Sequence, residues 1–245
     1  MAHGTVESGD TGGKAVLPID LLGPADPIPD DARETARLQR FRGELGQVCP
    51  YACGVLVGVG DGSNSLALGA AGAVLPEGRY SLRTKLANDD LRQAALAFAL
   101  GSYGFDRYVE REAPPVLVVD DADLAQSVSR EAATIAFGRD LVNTPAEDMG
   151  PDALEGAALA LAEEFGADVT VHKGRGFASD YPLIHAVGRA ASQEPRLIEL
   201  RWCGGTRKKV SIVGKGVCFD SGGLNIKNGK SMALMKKDMG GAATT

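Results

Sequence analysis

Lys208-Lys-Val-Ser-Ile-Val-Gly-Lys-Gly-Val-Cys-Phe-Asp-Ser-Gly-Gly-Leu-Asn-Ile-Lys227 and, after three further residues, Ser231-Met-Ala-Leu-Met-Lys-Lys-Asp-Met-Gly-Gly-Ala-Ala243 decide how the chain reads. Val210, Ile212 and Val213 form a short apolar run rich in β-branched residues, which predicts a buried strand. The run ends in Gly214-Lys215-Gly216, where the missing side chains allow a bend and a close backbone approach. Asp220-Ser-Gly-Gly223 reads as a second turn, headed by a carboxylate. Ser231 reads as the N-cap of a Met/Leu/Lys-rich helix that carries Asp238. Lys215, Asp220, Lys227 and Asp238 thus fall on a strand end, two turns and a helix, and strand ends are where α/β proteins build sites.

Carboxylates from separate elements converging beside lysines suit a divalent cation held by oxygen ligands. The plain alternative is a strand, a glycine turn and a helix whose charges are merely solvated; Asp-Ser-Gly alone is ordinary turn chemistry. A strand-end aspartate also suggests phosphatases that use it as a nucleophile. Those carry a second aspartate two residues on, where this chain has Gly222.

Working outward, the remaining sequence supports an α/β reading. Gly54-Val-Leu-Val-Gly-Val59, Pro115-Val-Leu-Val-Val119, Asp168-Val-Thr-Val-His172 and Leu197-Ile-Glu-Leu-Arg-Trp202 read as strands. Val16 to Leu22 reads as a strand broken by Pro18, and Leu66-Ala-Leu-Gly as a strand returning from a hairpin turn at Gly58-Val-Gly-Asp-Gly62. Helices are expected over Ala32 to Leu45, Asp89 to Tyr103, Asp123 to Leu141, Pro151 to Phe165 and most of Gly176 to Val187. Strands alternate with helices from residue 150 onward, which predicts a largely parallel sheet there. The domain organisation expected is a disordered tail over 1–13, an N-terminal α/β domain over 14–122, a connecting helix over 123–143 and a second domain over 144–245.

Composition narrows the class. Of 245 residues, 44% are hydrophobic and 24% charged, as in globular proteins. A net charge of -6 gives no electrostatic footprint for nucleic acid or anionic lipid. No apolar run approaches the roughly 20 residues of a membrane span, and the N-terminus lacks the basic and apolar regions of a signal peptide. The expectation is a cytoplasmic protein without nucleic-acid or membrane partners. Cys49, Cys53, Cys203 and Cys218 show no zinc-ribbon spacing and read as thiols in a reducing compartment, Cys218 serving strand packing. His3, His172 and His185 share no ligand spacing. Gly58 to Gly62 lacks the full nucleotide-binding spacing, and no Gly-x-Ser-x-Gly elbow points to a serine hydrolase.

The stretch from Gly214 to Lys227 with Met235-Lys-Lys-Asp-Met-Gly-Gly-Ala-Ala243 resembles the leucine aminopeptidase, or cytosol aminopeptidase, family. Arg139-Asp-Leu-Val-Asn-Thr-Pro145 resembles the segment opening that family's catalytic domain, and Leu100-Gly-Ser-Tyr-Gly-Phe-Asp-Arg-Tyr108 a helix end in its N-terminal domain. The resemblance covers roughly residues 80 to 245. It implies an α/β fold: an N-terminal α/β, macro-like domain followed by the first half of an α/β/α metallopeptidase domain. It implies a metalloaminopeptidase releasing N-terminal residues, leucine-type, from peptide substrates, with two divalent metal ions, Mn2+ or Zn2+ (magnesium also occurs), and a homohexameric full-length form. It places Lys215, Asp220 and Asp238 on metal-ligand positions, Asp220 bridging the ions, and Lys227 on the catalytic lysine. A ligating lysine must be neutral; from a reference pKa of about 10.4, losing that proton at pH 7 costs roughly 4–5 kcal/mol, which a divalent cation can supply.

The sequence departs from the family in one respect. The motif Asn-Thr-Asp-Ala-Glu-Gly-Arg, which supplies the remaining aspartate and glutamate ligands and an arginine thought to hold a bicarbonate base, does not occur. Two readings follow: a C-terminally truncated piece of a longer enzyme, favoured because the chain stops within what reads as the active-site helix, or a catalytically inactive truncated form acting only in binding or assembly.

Overall fold

The computed structural model describes the chain except for residues 1–4, 10–12, 14, 63, 204, 206, 207 and 221–225. It divides into two compact units, Met1–Phe137 and Gly138–Thr245.

The first unit is built on a six-stranded sheet. Its strands are β1 (Val6–Ser8), β2 (Leu17–Leu22), β3 (Val48–Tyr51), β4 (Gly54–Gly58), β5 (Arg79–Leu82) and β6 (Val116–Val119), in the order β1-β6-β5-β2-β4-β3. All neighbours pair in parallel except β3 and β4, which form an antiparallel hairpin through Ala52 and Cys53. Side chains alternate between the two faces of a strand, so one sheet can serve two cores. Ile19, Leu21, Val55, Val57, Leu117 and Val119 point to one face, where they pack with residues of the helices α2 (Leu68–Val74), α3 (Asn88–Gly101) and α4 (Ala122–Asn143). Cys49, Tyr51 and Leu56 point to the other and meet Ala36 of α1 (Arg33–Leu38). The result is a helix–sheet–helix arrangement in which Phe98 and Leu117 are fully buried. Gly72 and Gly101 let α2 and α3 cross closely: a Cβ at Gly72 would collide with the Phe98 carbonyl, and one at Gly101 with that of Gly69.

Several expectations change here. Val6–Ser8, in the stretch expected to be a disordered tail, pairs with β6 at the sheet edge, and Val6 is buried. Pro18 does not break β2, because the ladder to β4 begins only at Ile19 and the missing N–H falls at the strand's start. Leu66-Ala-Leu-Gly is not a returning strand. The Asn64 side chain accepts a hydrogen bond from Leu66 N at 3.1 Å and starts a 3-10 turn over Ser65–Ala67 that runs straight into α2. Helix α1 stops at Leu38 rather than near Leu45, and Arg40 follows at φ 56. Ala125, Val128 and Ala132 of α4 are buried in the first core, so the start of the expected connecting helix is part of the first unit.

The second unit opens with the end of α4 and then α5 (Pro151–Phe165), which begins with proline at its first position and ends at Gly166 with φ 66. Strand β7 (Asp168–His172), the short helices α6 (Phe177–Asp180) and α7 (Pro182–Gly188), and strand β8 (Leu197–Arg201) follow. Arg196, only 4% exposed, joins this hairpin to α5 through Glu155 and through Asp152 at 2.5 Å, while Lys173 holds Glu155 at 2.9 Å. The hydrogen bond from Lys173, helped by Arg196 and opposed by partial burial, keeps the Glu155 carboxyl below the usual carboxylate range. Two short helices follow near the end, α8 (Gly229–Ala233) and α9 (Gly240–Thr244).

The expected parallel sheet is not found among the described residues of this unit: β7 and β8 pair antiparallel, Asp168 opposite Arg201. The connection between them holds only the short helices α6 and α7, not the single long crossover helix that usually links parallel strands. Nor is the run Val210-Ser-Ile-Val213 a buried strand. It is irregular, with Val210, Ile212 and Val213 at 84%, 69% and 92% exposure. Its composition suits a strand, but no described strand pairs with it. Across the described residues, no helix is long and apolar enough to cross a membrane.

Candidate metal centre

Lys215 lies in the irregular segment after Val213, and Asp238 in a 3-10 turn spanning Met235–Met239. Two glycines let these segments touch. A Cβ on Gly241 would lie 2.8 Å from the Lys215 backbone nitrogen, and one on Gly214 would collide with the Gly241 carbonyl. The approach is sealed by a hydrogen bond from Ala242 N to the Lys215 carbonyl at 2.9 Å. In consequence Lys215 Nζ reaches the Asp238 backbone oxygen at 3.0 Å and its carboxylate Oδ2 at 3.5 Å. Lys237 takes the other carboxylate oxygen, with Nζ 3.1 Å from Oδ1. The hydrogen bond from Lys237 is the largest influence on Asp238; partial burial opposes it and Lys215 reinforces it, so the carboxyl titrates below the usual range and stays ionised at neutral pH.

A second pair forms between Asp220 and Lys227. Lys227 Nζ donates to Asp220 Oδ2 at 2.6 Å and to the Asp220 backbone oxygen at 3.1 Å, with the Met235 sulfur at 3.6 Å. The Asp220–Gly223 turn expected from the sequence lies outside the described residues beyond Asp220 itself, as does Asn225 before Lys227. Ser231 is not the N-cap expected. Asn228 fills that position, its Oδ1 accepting from Ser231 N at 2.9 Å, and α8 begins at Gly229. Asp238 follows in the 3-10 turn, not in a continuous helix.

The four nominated residues are therefore brought together as two lysine–aspartate pairs, Lys215 with Asp238 and Lys227 with Asp220. Among the described residues, no group of three or more His, Cys, Asp or Glu side chains is placed to hold a metal ion. Both pairs nevertheless combine an amine with a carboxylate, donors that a divalent cation accepts once the amine is neutral. Cys218 is buried as expected but stands in irregular chain; burial pushes its thiol up, with Arg196 opposing. His172 has Glu199 as a neighbour at 3.7 Å and takes no part in either pair.

Sequence reasoning missed two residues of this region. Lys236 donates to the Asn143 carbonyl at 2.9 Å, yet Lys236-Lys237 reads in sequence only as a solvated basic pair. Gly241 sits where side-chain substitution is sterically closed, and the doublet Gly240-Gly241 directly after the Asp238 turn was the available signal.

An α/β protein of two units with paired lysines and aspartates near its C-terminal end is the class defined so far. Residues 136–245 match the family described as cytosol aminopeptidase family, catalytic domain, and residues 34–119 match M17 aminopeptidase, N-terminal domain. The chain belongs to the cytosol aminopeptidase family. It is 34% identical over 181 residues to a probable cytosol aminopeptidase of Nocardia farcinica, an alignment covering 68% of this chain and 36% of that protein. With the corresponding protein of Xanthobacter autotrophicus it shares 32% over 247 residues, or 94% of this chain and 48% of the other. Among solved structures it superposes on the cytosol aminopeptidase from Coxiella burnetii with a TM-score of 0.85 at 37% identity, covering 97% of this chain and 55% of that one. The bottromycin maturation enzyme BotP in complex with Mn gives a TM-score of 0.73 at 30% identity, covering 93% and 53%. The chain thus spans about half the length of the relatives it matches.

Proposed function

We propose that this chain carries the lysine and aspartate part of the two-metal site of an aminopeptidase that removes N-terminal, leucine-type residues from peptides. The observation that supports it best is the meeting of Lys215 with Asp238, 23 positions apart in sequence, around a carboxylate held ionised. In this reading Lys215, Asp220 and Asp238 would hold the divalent ions, Asp220 serving both, and Lys227 would be the catalytic lysine. The manganese bound by BotP favours Mn2+ over Zn2+. When bound, such ions supply Lewis acidity toward the scissile carbonyl and lower the pKa of a water nucleophile. Asp238 contributes fixed negative charge, and the backbone crossing at Gly214 and Gly241 sets where Lys215 meets it. Lys227 keeps its ammonium at the site through Asp220 and donates from Nζ to the substrate carbonyl oxygen as negative charge develops there. The working form in this reading is a cytoplasmic homohexamer.

The test is metal content. After loading with Mn2+ or Zn2+ and dialysis, elemental analysis of the wild-type protein should find bound metal, and Asp220→Ala should remove all of it because both ions share that carboxylate. Metal retained in full by Asp220→Ala would refute the bridging role; none in the wild type would refute the metal reading.

A further inference from the structure

Helix α4 ends at Asn143, whose carbonyl is met by a side chain from far along the chain. Its last turn closes through Thr144, which is 2% exposed; its N–H and Oγ1 both donate to the Asp140 carbonyl, at 3.0 and 2.7 Å. The next residue, Pro145, has no N–H with which to continue the helix. The terminal carbonyls of a helix carry partial negative charge and attract cations. Lys236 crosses 93 positions of sequence to donate from Nζ to the Asn143 carbonyl at 2.9 Å, in a half-buried bond. Lys236 stands two residues before Asp238 in the same 3-10 turn, whose other end is anchored by Met239 at 1% exposure.

We infer that Lys236 is a positioning residue for the metal site: by tying the Asp238 turn to the end of α4, it fixes the carboxylate opposite Lys215. Lys237, its neighbour, is exposed and contacts Asp238 directly, so the two adjacent lysines divide the work. One orients the turn from behind, and the other balances the carboxylate's charge in front. Without Lys236 the turn keeps its buried methionine and its hydrogen bonds, but loses the contact that sets its rotation about them. Loss of an outer contact that orients a ligand weakens metal binding by roughly ten- to a hundredfold without removing any donor.

This inference rests on the metal reading above, and one experiment separates the two. Mn2+ is titrated into wild type, Lys236→Met, Lys236→Arg and Asp238→Asn, with free ion followed by its electron paramagnetic resonance signal and thermal unfolding recorded alongside. The inference requires Lys236→Met to bind Mn2+ about ten- to a hundredfold more weakly. Lys236→Arg, which can still donate to a carbonyl, should restore affinity to within a few-fold. Wild-type affinity in a folded Lys236→Met overturns the inference and leaves the metal reading standing. So does an Arg variant as weak as Met. If Lys236→Met does not fold, Lys236→Ala, which likewise has no donor, takes its place with the same expected weakening, and wild-type affinity there is equally fatal. A wild-type protein that binds no Mn2+ overturns the metal reading, and this inference with it.

Discussion

Replacing Gly241 with alanine sets two physical effects of opposite sign against each other. Gly241 lies in α9, and helix propensity alone favours alanine over glycine by about 1 kcal/mol in a helix interior, less in so short a helix. The added methyl, however, would sit 2.8 Å from the Lys215 nitrogen and 3.2 Å from its carbonyl oxygen. Both are backbone atoms, which cannot rotate aside as a side chain would. Ordinary contact begins near 3.4 Å, so the segments must part by about half an ångström, stretching the 2.9 Å bond from Ala242 N to the Lys215 carbonyl. Forcing a methyl into a closed site costs roughly 1–3 kcal/mol, which exceeds the propensity gain. The variant should therefore be less stable, with the unfolding transition lowered by about 2–8 °C at some 2–4 °C per kcal/mol, the scale for a chain of this length. The matched control is Gly156→Ala in α5, where a Cβ meets nothing within 4 Å. There propensity acts alone, and stability should rise by about 0.5–1 kcal/mol. Differential scanning calorimetry of both variants decides the matter. If Gly241→Ala stabilises as much as Gly156→Ala, the backbone crossing is not as tight as described, and its role in placing Lys215 fails.

Two further outcomes are expected. In peptide hydrolysis by the active enzyme, Lys227→Ala should keep its metal and lose roughly a hundred- to a thousandfold in kcat with little change in KM, the signature of a donor used in the transition state. Retention of more than about a tenth of kcat would leave Lys227 merely the counter-ion of Asp220 that its 2.6 Å contact also allows. In the first unit, burial pushes the Asp20 carboxyl up, against the pull of Arg83 at 3.0 Å and with a small push from Asp31. A raised folded-state pKa means that the residue's favourable contribution is complete below the unfolded value near 3.9 and is lost as pH rises through the folded value. Asp20→Asn should therefore be more stable than wild type to urea at pH 7, with the difference closing below about pH 4. An Asn variant less stable than wild type at pH 7 would show that Arg83, half-exposed, holds more than its geometry implies.

What the sequence disclosed followed the range of the interactions involved. Leu56 and its neighbours, Pro151 at the start of α5 and Gly166 at its end were legible because turn chemistry and apolar runs act locally. Leu66 misled for the same reason: its apolar run fits strand or helix equally, and Asn64 tipped it toward helix through one side-chain hydrogen bond. The run from Val210 to Val213 was misread because a strand exists only with a neighbour, and a sequence pattern names no neighbour. Lys215 could not have been nominated by residue chemistry; a motif resemblance did so, and the structure sets it beside Asp238. Lys236 was invisible because its partner is a backbone carbonyl 93 positions away, which no local pattern encodes.

The exposed run from Val210 to Val213 bears on how the molecule behaves in a crowded solution. A mostly β-branched, uncharged stretch that pairs with no strand among the described residues is a template on which another copy can lay down a strand. Here it is fenced by Lys208 and Lys209 on one side and Lys215 on the other, charges that would face their counterparts in any in-register stack. That fence is electrostatic and weakens with ionic strength, its reach falling from about 10 Å at 0.1 M salt to about 3 Å at 1 M. The protein should accordingly stay dispersed in dilute buffer and coalesce in concentrated salt, so salting-out, a routine purification step, is where this segment would first turn against the molecule.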